Sequence, residues 1–252
     1  MKLSYYFKNA NIIAGSTWRE KHLPEQNNMA LHVGRNVEDV VENRKRLANL
    51  LGMKLSDFVC SEQTHSDHFY EVTKDDKGRG SLKMETAIPD TDALYTYEPG
   101  IILCCFTADC VPVFFYNEQS GVVGVIHSGW KGTVSEIVGK VFHQLIEADK
   151  NDPSKFHVHL GACLSQQKFA VDEDVERQFA SLNYADEWIN YDSEQHKFFI
   201  NNQMVIKKQC ELVGISEENI TFDDVCTYTD DGGFSYRQDK QAGRHLHFMM
   251  KK

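Results

Sequence analysis

Residues 92 to 128 constrain the fold of this chain more than any other segment. They contain four runs of apolar, β-branched or aromatic residues, which read DALYTY, IILCCFTA, VPVFFYN and VVGVIH. The runs are separated by EPG, ADC and NEQSG, which are residue combinations typical of turns. NEQSG between two such runs predicts an antiparallel hairpin from Val113 to Ile126. The centre of the chain is therefore predicted to be β-structure.

Amphipathic helices are predicted on both sides of this β-rich centre. After the fourth strand, one helical face is marked by Val134, Ile137, Val138, Val141, Phe142, Leu145 and Ile146. A helix from Val37 to Leu51 is predicted between a capping Asn36 and Gly52. Further helices are expected near 172–180 and 201–213, with strands at LSDFVCSEQTH, HVHLGA and 245–249, and an exposed loop or irregular hairpin over 71–90.

Hairpins mixed with helices favour an α+β layered fold with mixed, largely antiparallel sheets flanked by helices, rather than a doubly wound sheet. The sequence contains neither GxGxxG nor GxxxxGK[ST], so the dinucleotide-binding and P-loop classes lack their main evidence. No repeat and no linker rich in proline, glycine or serine divides the chain. We therefore expect a single domain over residues 1–252.

Composition excludes several broad classes of function. The formal net charge of −10 argues against nucleic acid or an anionic membrane as a partner. No apolar run approaches membrane-spanning length, and the N-terminus lacks the features of a signal peptide, so a cytoplasmic protein is expected. Seven cysteines without CxxC spacing indicate reduced thiols rather than a disulfide framework.

Three potential metal ligands follow extended apolar runs. His65 lies in EQTHSD, Cys110 in FTADCVP and His127 in VIHSGWKG. Two imidazoles and a thiolate suit a catalytic zinc site, where three protein ligands leave a fourth position open. The wide spacing requires tertiary structure to bring them together. Alternatively, His127 is a structural histidine and Cys110 is a buried, inert thiol.

The surrounding motifs make the site hypothesis more specific. QTHS, DTDAL, TADCVPV, HSGWKGT and GACLS occur in the order and context of the YfiH-like family, which this chain resembles from NMALHVGRN to FSYRQDKQAGRH. Members have been called multicopper polyphenol oxidases (laccases) and, more recently, purine nucleoside phosphorylases. The family usually has glycine where Ser66 stands, alanine at Ser128 and proline at Ala162.

The resemblance implies that His65, Cys110 and His127 are catalytic zinc ligands and that Arg44 is an active-site arginine. Without the resemblance, Arg44 would be taken as a solvated arginine on a helix face, because Lys45 and Arg46 adjoin it. The implied activity is zinc-dependent phosphorolysis of purine nucleosides by inorganic phosphate. Adenosine deaminase and methylthioadenosine phosphorylase activities at the same site are implied as well, and the protein is expected as a monomer or homodimer.

Other classes remain open at the level of sequence. A copper-dependent polyphenol oxidase is disfavoured because no HxH pair lies near the motifs, although a His2Cys site could hold copper. A cysteine hydrolase would use Cys110 as its nucleophile and His127 or His65 as its base, and the resemblance links such a hydrolase to peptidoglycan editing. A non-enzymatic module would bind a small molecule and keep zinc for structure.

Overall fold

The computed structural model describes all residues 1–252 and contains fourteen strands and five α-helices. The helices are α1 (Val37–Leu50), α2 (Trp130–Val134), α3 (Ile137–His143), α4 (Glu173–Ala180) and α5 (Asn202–Leu212). The strands are β1 (Leu3–Lys8), β2 (Ile12–Thr17), β3 (Phe58–Cys60), β4 (Phe69–Glu71), β5 (Ala93–Thr96), β6 (Ile101–Thr107), β7 (Val111–Asn117), β8 (Val123–Ser128), β9 (Phe156–Leu160), β10 (Ala170–Val171), β11 (Ile189–Asp192), β12 (Lys197–Ile200), β13 (Ile220–Phe222) and β14 (His245–Lys251).

Two large sheets dominate the fold. One has the strand order β1-β2-β14-β6-β3 and the other β13-β9-β7-β8-β5-β4. Most neighbours are antiparallel, and the parallel pairs lie at edges, where β3 meets β6, β4 meets β5 and β13 meets β9. The predicted hairpin is confirmed, because Val113 pairs with Ile126 in the antiparallel β7–β8 ladder. A third, small sheet has the order β10-β12-β11.

The alternation of side chains along each strand builds the layers. On β6, Ile101, Leu103 and Cys105 face a core between the two large sheets, while the intervening residues face a core that contains α1. On β7, Phe114 joins the inter-sheet core, whereas Val113 and Phe115 pack with α3 and α5. The result is a layered α+β fold in which helices cover the outer faces of two stacked sheets.

The sequence predicts one continuous helix after β8, and this prediction is wrong in detail. Helix α2 ends at Val134, and Glu136 has a φ of 57° in the left-handed region before α3 begins. The break separates two packing surfaces, because Val134 contacts the core of the small sheet while Ile137 belongs to the core under the six-stranded sheet. A short π-helical turn from Gln144 continues α3.

The other predicted elements agree closely with the structure. Helix α1 begins after Asn36, whose side chain accepts a hydrogen bond from the Glu38 amide, and Gly52 follows its end with a φ of 69°. The segment 71–90 is irregular as predicted, but it is not fully exposed, since Val72, Asp76 and Ser81 are buried. None of the five α-helices combines the length and the apolar character that a membrane span requires.

Candidate active site

The side chains of His65, Cys110 and His127 lie together where the two large sheets meet. His65 is in the loop after β3 with a φ of 62°, Cys110 is in the turn between β6 and β7, and His127 is near the end of β8. One ligand atom from each of the three lies within 4.8 Å of the other two. The structure therefore brings together three residues that are distant in sequence.

The distances between the potential ligand atoms of these three residues are close to those in a metal site. Cys110 Sγ is 3.7 Å from His65 Nε2, whereas ligand atoms of a tetrahedral zinc with typical bond lengths are about 3.5 Å apart. His127 is buried, Cys110 is half-buried and His65 is exposed, so the cluster is open on one side. Three donors with an open side are compatible with a metal that keeps a coordination position for water or substrate.

Gly129 makes this close approach feasible. A Cβ atom at that position would lie 2.6 Å from His65 Cδ2 and 3.0 Å from Cys110 Sγ. The exposed Lys131 nearby lies over the ring of Trp130. The HSGWKGT segment therefore contributes space for the cluster.

Asp92, which the sequence analysis did not single out, is central to the site. Its side chain is fully buried, and its Oδ1 is 2.7 Å from His127 Nδ1. It also accepts hydrogen bonds from the amides of Thr64, His65 and Ser66 and from the Ser66 hydroxyl. A carboxylate of this kind, from the motif DTDAL just before an apolar strand, is costly unless it is hydrogen-bonded, and that signal could have identified it.

The partners of these groups determine their charges. Burial alone would raise the pKa of Cys110, but the two histidines outweigh it and lower that pKa to about 6. Burial would lower the pKa of His127, yet the Cys110 thiolate and Asp92 raise it to about 9. Burial likewise opposes ionisation of Asp92, while His127 and Ser66 hold its pKa below the usual value. A thiolate is the form that binds metal and attacks electrophiles.

Arg44 is buried, so the alternative of a solvated helix-face residue is wrong. Its guanidinium donates to the carbonyl oxygens of Met29, Gly80 and Ser81 and lies 4.8 Å from the ring of Phe106. No carboxylate pairs with it. Arg44 lines a cavity of about 490 Å³ that is also lined by all three residues of the cluster. We call it the first cavity.

Asp109 organises the segment that carries Arg237. Its carboxylate accepts hydrogen bonds from the Thr227 hydroxyl, the Ser235 hydroxyl and the Arg237 amide. Asp109 has a φ of 93°, a strained value for a residue other than glycine. These bonds anchor the 235–237 segment beside Cys110.

Comparison with known proteins identifies the family. Residues 16–252 match the family model described as multi-copper polyphenol oxidoreductase laccase. The chain belongs to this family. A relative from Bacillus subtilis (strain 168), named purine nucleoside phosphorylase YlmD, is 31% identical over 251 residues, which cover 96% of this chain and 89% of the relative.

Solved structures of the family confirm the fold. The crystal structure of the Bacillus licheniformis hypothetical protein YfiH has a TM-score of 0.91 at 27% identity and covers 98% of this chain and 99% of that one. YlmD from Geobacillus stearothermophilus also has a TM-score of 0.91, at 31% identity, with 96% of this chain and 93% of that chain covered. The YfiH-like resemblance found in the motifs is therefore confirmed.

Proposed function

We propose that this protein is a zinc-dependent purine nucleoside phosphorylase, folded as one domain over residues 1–252. The observation that carries the proposal is the His65–Cys110–His127 cluster in the wall of a cavity that is also lined by the buried Arg44, which has no carboxylate partner. A curated relative that aligns with 96% of this chain bears the name purine nucleoside phosphorylase. Purine nucleosides and inorganic phosphate are the proposed substrates.

In the proposed reaction, an oxygen of phosphate forms a bond to the anomeric carbon of the ribose. The bond from that carbon to the purine nitrogen breaks, and its electron pair leaves with the base, which gains a proton. The products are ribose-1-phosphate and the free purine. The chain must therefore hold an anion next to the sugar and accommodate a base that becomes more negative as it departs.

His65, Cys110 and His127 would hold the zinc, in preference to copper. A bound zinc supplies Lewis acidity and lowers the pKa of a coordinated water to about 7. Asp92 fixes the His127 ring with Nδ1 as the donor, which directs Nε2 towards the cluster. The same site would support deamination of adenosine and phosphorolysis of methylthioadenosine.

Arg44 would bind the phosphate or orient it. Three backbone carbonyls fix its guanidinium, so the positive charge is positioned before the anion arrives. Charge-assisted hydrogen bonds from a guanidinium to an anion are stronger than neutral ones. This assigns Arg44 a role in both the structure of the cavity and the binding of phosphate.

Oxidation of polyphenols fits the chain less well despite the family description. Multicopper oxidation requires several copper sites, whereas the structure offers one His/Cys cluster of metal-binding dimensions. A second candidate is favoured by a specific observation. Cys110, His127 and Asp92 form a linked series in which the pKa of the thiol is lowered to about 6, the arrangement of a cysteine nucleophile with an oriented base.

The two candidates are separated by assay of the purified protein. Adenosine, inosine and guanosine are incubated with and without phosphate, and free base and ribose-1-phosphate are quantified. Phosphorolysis predicts phosphate-dependent release of both products. Absence of any nucleoside conversion by the zinc-loaded protein would refute the proposal, while a covalent adduct at Cys110 during turnover of an ester or amide would support the cysteine hydrolase.

A further inference from the structure

A second cavity, of about 440 Å³, also borders the cluster and is lined by His65 and Cys110. The two cavities share His65, Ala108, Cys110 and Tyr236. Both volumes are within the range of small-molecule sites. A substrate with two chemically different parts could therefore extend from one cavity to the other across Cys110.

The first cavity is suited to an anion. Besides Arg44 it is lined by Arg244 and, at its mouth, His32. Arg244 contacts the ring of Tyr236 and, like Arg44, has no carboxylate partner, although acidic residues outnumber basic ones in this chain. Partial burial lowers the pKa of His32, and the positive charges of Arg244 and Arg44 contribute to the same shift. The only carboxylate in the lining is the exposed Glu62.

The second cavity has the opposite character. Its wall is mainly apolar and includes Trp130, Leu164, Phe169, Val171 and Val175. Its charged residues are Asp109, Asp172, Asp174 and Arg237, and the Arg237 guanidinium donates to the Ala170 carbonyl and lies over the Phe169 ring. The carboxylates outnumber the single arginine, so the cavity is less favourable for a phosphate than the first. Asn202 also lines the second cavity; this residue is only 6% exposed, and its Oδ1 atom has no hydrogen-bond partner.

We propose that the two cavities divide the substrates, with inorganic phosphate bound in the first by Arg44, Arg244 and His32 and the purine base bound in the second. The proposal rests on the proposed phosphorolysis and specifies its geometry. It adds Arg244 and His32 as phosphate-binding residues. It also assigns Asn202 and the wall that contains Trp130, Phe169 and Val175 to recognition of the base.

The chemistry of the reaction explains why two cavities are needed. In an in-line displacement, the new bond to phosphate forms on the face of the anomeric carbon opposite to the departing base. The ribose then lies at the shared wall near Cys110 and Tyr236. A flat purine gains contact area against aromatic and aliphatic side chains. The unsatisfied Asn202 Oδ1 can accept a hydrogen bond from an N–H group on the polar edge of the ring, which offsets the cost of burying that oxygen.

The test compares Arg244→Gln in the first cavity with Val175→Phe and Asn202→Ala in the second. Arg244→Gln should raise the KM for phosphate by about 10- to 100-fold, the loss expected for a hydrogen bond to a charged group. The KM for the nucleoside should change by less than about threefold. Val175→Phe, which narrows the second cavity from a helix surface, should give the reverse pattern. Asn202→Ala should raise the KM for the nucleoside and alter the ratio of adenosine to inosine turnover.

Matched controls are available in the chain. Arg35→Gln removes an exposed arginine that lines neither cavity, and Val37→Phe enlarges an exposed valine on α1. Both should leave the two KM values unchanged. A raised KM for both substrates in each cavity variant, or a pattern opposite to the expected one, would overturn the division.

Direct binding separates this inference from the proposed function. Phosphate and adenine are titrated calorimetrically into the wild-type protein and into the Arg244→Gln and Val175→Phe variants. If no nucleoside is turned over but Arg244→Gln weakens only phosphate and Val175→Phe weakens only adenine, the division stands and phosphorolysis is wrong. If the wild-type protein binds neither ligand, the division itself is wrong.

Discussion

The molecule contains two sites with buried histidines, and the charges on these histidines differ. His127, near the end of β8, is linked to Asp92 and Cys110, and its pKa is raised to about 9. On β14, burial lowers the pKa of His245 to about 4. Burial is similar at both sites, so the partners determine the outcome. Charged partners favour an imidazolium that can exchange its proton for a metal, whereas neutral partners hold the ring uncharged.

His245 and His247 on β14, which we call the neutral pair, have hydrogen-bond partners at both ring nitrogens. His245 Nδ1 donates to the Thr17 carbonyl, and its Nε2 accepts from the Phe234 amide. The His247 ring lies between the hydroxyls of Ser16 and Thr107, at 2.6 and 2.8 Å. Neither ring contacts a carboxylate. This pair joins β14 to its neighbours and has the features of a structural element, whereas the His127 cluster faces a cavity.

The largest expected effect is a loss of stability in acid that originates at the neutral pair. Below pH 6.5 the unfolded chain protonates both histidines, while folded His245 stays neutral until about pH 4 and burial holds the pKa of His247 well below its usual value. The unfolded state binds more protons, so stability falls as the pH falls through this window. His245 alone should account for about 3 kcal/mol in the free energy of unfolding.

Urea denaturation of the metal-free protein between pH 7 and pH 4 measures this effect. His245→Gln should flatten the pH dependence, whereas His22→Gln, at an exposed site, should leave it unchanged. An unaltered slope in His245→Gln would show that burial does not hold this ring neutral.

Removing the Asp92 carboxylate, which is hydrogen-bonded to His127, should have the next largest effect. Asp92→Asn keeps an oxygen for the backbone amides but no longer stabilises the orientation and charge of His127. We expect zinc affinity to fall about 10- to 100-fold, as for other residues that orient metal ligands. Competition with a fluorescent chelator measures it. The control Asp90→Asn alters an exposed carboxylate two residues away, and equal losses in the two variants would contradict the assigned role of Asp92.

A steric change at the His65–Cys110–His127 cluster should have a somewhat smaller effect on zinc affinity. Gly129→Ala places a methyl group against His65 and Cys110, so the ligands must separate, and we expect zinc affinity to fall about tenfold. Gly139→Ala is the matched control, since its Cβ would meet only the Glu136 Cβ at 3.9 Å. Full zinc affinity in Gly129→Ala would mean that the cluster does not need this close approach.

The smallest effect concerns a residue at which this chain differs from the usual family pattern. Ser66→Gly removes one hydroxyl bond to Asp92 but leaves the three backbone amides that bind it. A single hydrogen bond contributes about 1 kcal/mol, so the free energy of unfolding should fall by about that amount. Zinc affinity should change by no more than about threefold. A larger loss than in Asp92→Asn would reverse the proposed order of importance.

The elements that could be predicted from sequence are those with a regular spacing of apolar side chains. The β6, β7 and β8 strands, the hairpin and α1 follow from alternation, turn residues and a capping Asn36. The break at Glu136 was missed, because the apolar spacing continues through it while the packing surface changes. The positions of His65, Cys110 and His127 at strand ends suggested a shared site, but only the pairing of the sheets brings them into contact.

Two side chains of the site show the limit of such predictions. Arg44 lies among charged neighbours in sequence, and its burial depends on carbonyl groups from residues 29, 80 and 81, which no local pattern reveals. Asp92 carried a usable signal, a carboxylate next to an apolar strand, yet its bond to His127 arises from the register of β5 against β8.

X-ray absorption spectroscopy of the purified protein, with metal analysis, tests the central claim most directly. The account predicts one zinc per chain bound by one sulfur and two imidazole nitrogens, with the sulfur lost in Cys110→Ala. Zinc without a sulfur ligand, or full phosphorolysis by a protein that contains no metal, would contradict it.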